Sequence, residues 1–135
     1  MLRLHTFCFL VLLMFLVGCG KNVPLKGTIT FSDDGSPLPE GTIAFVNTKE
    51  NRMSRGDVRD GKFVIGTEKL TNGLPPGIYQ ISIDATSSYV DESTGRTIET
   101  RRIDPKYEDI ATSGLSLEVN ASTKVYNIQV DRFVP

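Results

Sequence analysis

The stretch LPPGIYQISID, residues 74–84, settles the fold class. Pro75, Pro76 and Gly77 close a rigid loop over residues 71–77. The chain then alternates strictly. Tyr79, Ile81 and Ile83 share one face, and Gln80, Ser82 and Asp84 share the other. A period of two marks a strand with one buried face. Buried Tyr79 needs a partner for its hydroxyl, and a nearby backbone group is expected to supply it.

Working outward, the same period recurs. Leu25, Gly27, Ile29 and Phe31 alternate with Lys26, Thr28 and Thr30. Ser32 to Gly35 is a turn, and Pro37 and Pro39 are expected to stay extended and outside any ladder. Thr42 to Val46 is almost continuously apolar and is expected to be buried on both faces. Met53 to Arg59 is a weak polar strand, and Asp60-Gly61 is a hairpin turn into Lys62 to Ile65. Residues 85–114 are polar and longer than an ordinary connection. Within them Thr97 to Ile103 alternates weakly, and Asp104-Pro105 caps one helical turn. Leu115 to Val119 and Tyr126 to Val130 are two clear final strands, with a turn at Asn120 to Thr123. No segment keeps a helical period. The pattern predicts an all-β fold, a seven-stranded antiparallel Greek-key β-sandwich over residues 25–135.

The series PLKGTITFSDDGSPLPEGTIAFV (24–46), DGKFVI (60–65) and LPPGIYQISI (74–83) resembles the carboxypeptidase regulatory-like domains. The resemblance covers nearly all of the chain after residue 24, and it implies a transthyretin-like, or prealbumin-like, sandwich. PKYEDIATSGLSLEV (105–119) further resembles small bacterial lipoproteins built from this one domain.

The first residues carry a different signal. Phe7 to Val17 is an unbroken apolar run, behind a short lead with Arg3 and His5. Spanning a bilayer takes about 20 residues, so this run has the length of a signal-peptide core. It ends in Leu16-Val17-Gly18-Cys19, which resembles the bacterial lipobox. That resemblance implies a signal helix cleaved after residue 18, a lipidated Cys19 carrying diacylglyceryl and an N-acyl group such as palmitate, and a tether over residues 19–24. A plain signal peptide with a chance cysteine is the alternative. Gly20 replaces the aspartate that often retains such proteins in an inner membrane. The expected location is therefore the bacterial cell envelope, at an outer membrane or the cell surface.

Composition narrows the chemistry. The only histidine, His5, lies in the signal segment. Schemes resting on Ser-His-Asp, Cys-His or histidine-bound metal are excluded from the mature chain. Some transthyretin-like proteins are hydrolases that depend on histidines, and this chain departs from them. There are two cysteines, Cys8 in the signal core and Cys19, so neither a disulfide nor a cysteine metal site is expected. Removing Arg3 from 15 basic against 16 acidic residues leaves a slightly acidic chain, without the basic block that grips nucleic acid. Asp33-Asp34 and Asp57 with Asp60 are read as solvated turn acids, since regular calcium-ligand spacing is missing. Asn120-Ala121-Ser122 matches a glycosylation sequon but is read as a turn.

The richest surface is the 85–114 segment, with Tyr89, Arg101, Arg102 and Tyr107. Aromatics beside arginines are what binding hot spots use. The favoured reading is a polar loop whose Tyr107 covers the end of the core. The expected function is a non-catalytic, lipid-anchored structural or protein-interaction module. It would hold the membrane through its N-terminal lipid and meet an envelope protein partner. The alternative is a module that binds carbohydrate or another extracellular ligand through those four residues. No cofactor is expected.

Overall fold

A computed structural model describes residues 21–65 and 72–135 of the chain. The signal segment 1–18, Cys19 and the start of the 71–77 loop lie outside the described residues.

The chain is all-β. In order it forms β1 (Leu25–Phe31), β2 (Glu40–Asn47), β3 (Arg52–Arg59), β4 (Lys62–Ile65) and β5 (Gly77–Asp84). Then come β6 (Thr86–Asp91), β7 (Arg96–Arg101), a 3-10 turn (Pro105–Glu108), β8 (Leu115–Val119) and β9 (Val125–Val130). Seven strands form one sheet in the order β8-β5-β2-β3-β4-β1-β9, and β6 and β7 make a separate two-stranded sheet.

Local chemistry accounts for the turns. Asp60 and Gly61 both adopt positive φ (49° and 73°) between β3 and β4, as a tight hairpin requires. The Asp104 side chain accepts from Lys106 N at 2.9 Å and caps the 3-10 turn. Asn120 Oδ1 accepts from Ser122 N at 2.9 Å, so the sequon residues do form a turn.

One core serves the whole sheet. Leu25, Ile29 and Phe31 of β1, Phe45 of β2, Tyr79 of β5 and Ile128 of β9 belong to a single buried cluster. Strands far apart in the sheet order can share a core only because the sheet curls over on itself. Phe45 anchors the centre, with ring centroids 6.1 Å from Phe63 and 6.4 Å, edge-on, from Tyr79. Such tilted aromatic contacts add to what area burial alone gives. The Tyr79 hydroxyl donates to the Pro75 carbonyl at 2.7 Å, so a backbone acceptor in the proline loop does supply the partner. The curl brings the two edge strands together: Tyr126 of β9 donates its hydroxyl to the Ser116 carbonyl of β8 at 3.4 Å.

Three expectations are corrected. The sheet is mixed rather than purely antiparallel, because β1 and β9 run parallel from Lys26↔Val125 to Phe31↔Val130. Parallel neighbours need a long connection, and nearly the whole chain separates these two. Second, the 85–114 segment holds a full hairpin, β6–β7, of which only the second strand shows alternation in the sequence. Third, Pro37 is not outside every ladder: it bridges Thr30, while Leu38 N donates to the Ile29 carbonyl at 3.0 Å. Proline is tolerated there because its neighbours make the hydrogen bonds. Burial of β2 on both faces holds, with Ile43, Ala44 and Phe45 all buried.

Candidate functional site

Strand register defines two ends. Residues 21–24 lead into the start of β1. Its row of partners leads to the end of β4 and the start of β9. At the other end lie the start of β2, the end of β3 and the end of β5, joined by the pairs Glu40↔Arg59 and Thr42↔Asp84. The chain leaves β5 through buried Ala85, makes the β6–β7 hairpin and returns through Arg102.

Between these segments opens a cleft of about 680 Å³. Its charged lining comprises Glu40, Asp57, Asp60, Asp84, Arg59 and Arg102. Arg102 is fixed in place. One terminal nitrogen lies 3.0 Å from Glu40 Oε1, and the other donates to Ser87 Oγ at 3.2 Å. Arg59 and Asp57 are only loosely paired at 4.0 Å, and both are well exposed. Carboxylate acceptors beside a held guanidinium suit a hydroxyl-rich or polar ligand. Among the described residues no group of three or more His, Cys, Asp or Glu side chains is placed to hold a metal ion.

The four sequence candidates of the 85–114 segment separate in space. Arg102 lines the cleft. Arg101 stands at the hairpin base opposite Thr86, with Nε 2.8 Å from Glu108 Oε1. That nitrogen is buried and has no aligned hydrogen-bond acceptor, so its contact with Glu108 is an ion pair. Tyr107 is buried at 6% exposure and belongs to the core cluster. Its hydroxyl donates to Asp131 Oδ2 at 3.1 Å and accepts from Asp131 N at 3.2 Å. Tyr107 is thus a core cover, as the second of its two readings expected. Tyr89 pairs with Ile98, away from the hairpin base, and is 58% exposed. Val90 and Ile98 are exposed beside it. Cys19 lies outside the described residues.

Sequence spacing did not reveal that Glu40, Asp57 and Asp84 share one cleft. They sit on three strands, and only the pairing of β2 with both β3 and β5 brings them together. The separate turn-acid expectation is correct for Asp34, whose Oδ1 accepts from Ser36 N at 2.9 Å.

A second polar cluster, at the end of β9, is structural. Asp131 accepts from Lys106 Nζ at 2.5 Å, Ser32 Oγ at 2.7 Å and Tyr107. The Lys106 hydrogen bond, then those of Ser32 and Tyr107, hold the Asp131 carboxyl down at about 2. Arg132 spans Asp33 at 2.8 Å and Asp34 at 3.0 Å, with its guanidinium 3.7 Å over the Phe31 ring. Hydrogen bonds from Ser36, with Arg132 nearby, bring Asp34 to about 2. Every charge here already has a partner, so this cluster fastens the chain's last residues to the β1 turn.

No protein-family model and no curated protein matches the chain. Among solved structures, the major pilin subunit of Bacillus cereus aligns at 12% identity and a TM-score of 0.47. The alignment covers 83% of this chain and 30% of the pilin. A 9R-lipoxygenase from Cyanothece aligns at 13% identity and a TM-score of 0.38, over 79% of this chain and 16% of the enzyme. The chain therefore spans less than a third of either protein.

Proposed function

We propose that the protein is a non-catalytic, lipid-anchored binding module of the bacterial cell envelope, of the carboxypeptidase regulatory-like kind. Cys19 carries the lipid, and the end of the sandwich away from the tether engages an envelope protein. The observation that carries this reading is the projecting β6–β7 hairpin. No residue of its two strands is buried, and Tyr89, Val90 and Ile98 are open to solvent. Exposed aromatic and β-branched side chains on a ribbon offer a partner apolar contacts and free strand edges.

A second reading rests on the cleft. Its mixture of carboxylates with the held Arg102 suits a carbohydrate or another polar extracellular ligand.

Crosslinking in the intact envelope, followed by mass spectrometry, separates the two. One stoichiometric protein partner, lost on Tyr89→Ala, supports the hairpin reading. Glycan binding that disappears with Arg102→Ala, and no protein partner, replaces it with the second. Anchoring is checked independently with Cys19→Ser. That variant is expected to accumulate as an unprocessed precursor without acyl mass; if it carries the same lipid label as the wild type, the anchor assignment is wrong.

A further inference from the structure

At the tether end the outer surface carries a groove of about 420 Å³, and its chemistry differs from that of the cleft. Val23, Pro24, Val64 and Ala121 give it an apolar lining, which Lys26 and Lys124 share. Register explains the arrangement. Lys26 pairs with Val64 of β4 on one side and with Val125 of β9 on the other. One outward row across three strands therefore reads valine, lysine, valine. Val64 and Val125 are 47% and 53% exposed. Among the described residues no carboxylate lines the groove.

We propose that this face rests on an anionic bilayer surface, as a second membrane contact beside the lipid. The inference deepens the anchoring reading and depends on it. Two observations favour a bilayer as the occupant. The first is charge complementarity: among the described residues the charged groups lining the groove are lysines, whereas the cleft at the far end mixes carboxylates with arginines. Lysines attract anionic headgroups while their stems and the neighbouring valines lie against the interface. The second is reach. Lys21 stands two residues after Cys19 and two before Val23 of the groove. Cys19 and Val23 are therefore four residues apart, about 14 Å of extended chain at most, so an acylated Cys19 keeps this face close to the headgroups.

The test uses the full lipidated chain in phosphatidylcholine vesicles with or without phosphatidylglycerol. A fluorophore is attached through Ala121→Cys at the groove or, separately, through Ser93→Cys in the distal hairpin turn. Spin-labelled lipids serve as quenchers. The groove probe is expected to be quenched only with phosphatidylglycerol present, and less at high salt. The hairpin probe should remain unquenched. Adding Lys26→Ala and Lys124→Ala should lower the ratio of docked to undocked protein roughly thirtyfold, with flotation unchanged. Flotation with an unquenched groove probe overturns this inference and leaves anchoring intact. Quenching that ignores anionic lipid, or a groove covered by a second copy in sedimentation, also overturns it. Failure to float overturns both proposals.

Discussion

Gly27→Ala tests the parallel pairing that sets this sheet apart from the expected antiparallel one. Gly27 faces Phe63 on β4 and Tyr126 on β9. A Cβ there would lie 1.8 Å from the Tyr126 carbonyl oxygen and 2.7 Å from Phe63 Cζ. Real contacts of this kind essentially never fall below 3.0 Å, so β9 has to move or leave. If β9 shifts and stays paired, overpacking costs about 1–3 kcal/mol. If it detaches, Ile128 and Val130 lose their burial, at about 1.5–3 kcal/mol each. A loss near 3 kcal/mol is expected, a large share of a typical domain's stability of roughly 5–15 kcal/mol. Urea unfolding followed by far-ultraviolet circular dichroism measures it, since the chain has 4 tyrosines and no tryptophan. Detachment would also lower the slope with urea, because less surface remains to be exposed. Exposed Lys26→Ala serves as the control, expected within about 0.5 kcal/mol of wild type. A Gly27→Ala variant as stable as that control would refute the close β1–β9 approach.

Three further outcomes are expected. The Asp131 carboxyl titrates at about 2 when folded against 3.8 as its ordinary value. Its contribution is therefore complete above 3.8 and lost as pH falls towards 2. Asp131→Asn should remove that part of the acid-induced fall in Tm; an unchanged acid limb would count against the cluster. Tyr79→Phe removes the donor to the Pro75 carbonyl and is expected to cost about 1 kcal/mol in chemical denaturation; a neutral result would mean the bond is not formed in solution. Changing Arg101 and Arg102 together to glutamine should speed amide exchange across the β6–β7 hairpin while leaving β2 and β5 protected, and equal protection in both regions would show that the arginines do not pin the hairpin.

Most strands were legible because one face of each is buried. β1, β4 and β8 match their alternating runs residue for residue, and β2, β3, β5 and β9 begin slightly earlier than the apolar pattern. Direction was not legible. Alternation is identical for parallel and antiparallel neighbours, so the β1–β9 pairing left no trace in the pattern. β6 escaped for the opposite reason. TSSYVD (86–91) buries neither face fully, so it imprints no period. Of the site, Tyr107 and the arginines stood out by residue type, but their separation into cover, pin and cleft wall depends on long-range contacts. The cleft carboxylates were individually visible and collectively hidden. Asp57 and Asp84 belong to different strands, and both lie beside Thr42 only once β2 pairs on its two sides.

Two arginines fasten the base of the hairpin. A two-stranded ribbon alone is marginal in water, and β6–β7 adds almost no burial of its own. Its position rests on polar contacts at the base. Arg101 meets Glu108, Arg102 joins Glu40 to Ser87, and Asp84 accepts from Thr86 N at 2.9 Å. Arg102 and Asp84 also line the cleft. The groups that hold the hairpin upright are thus the groups an acidic or hydroxyl-bearing visitor would reach first. Any ligand that drew Arg102 away from Glu40 would loosen the ribbon carrying Tyr89. Cleft and hairpin are therefore best treated as one coupled surface, which is why Arg102→Ala and Tyr89→Ala must be compared side by side.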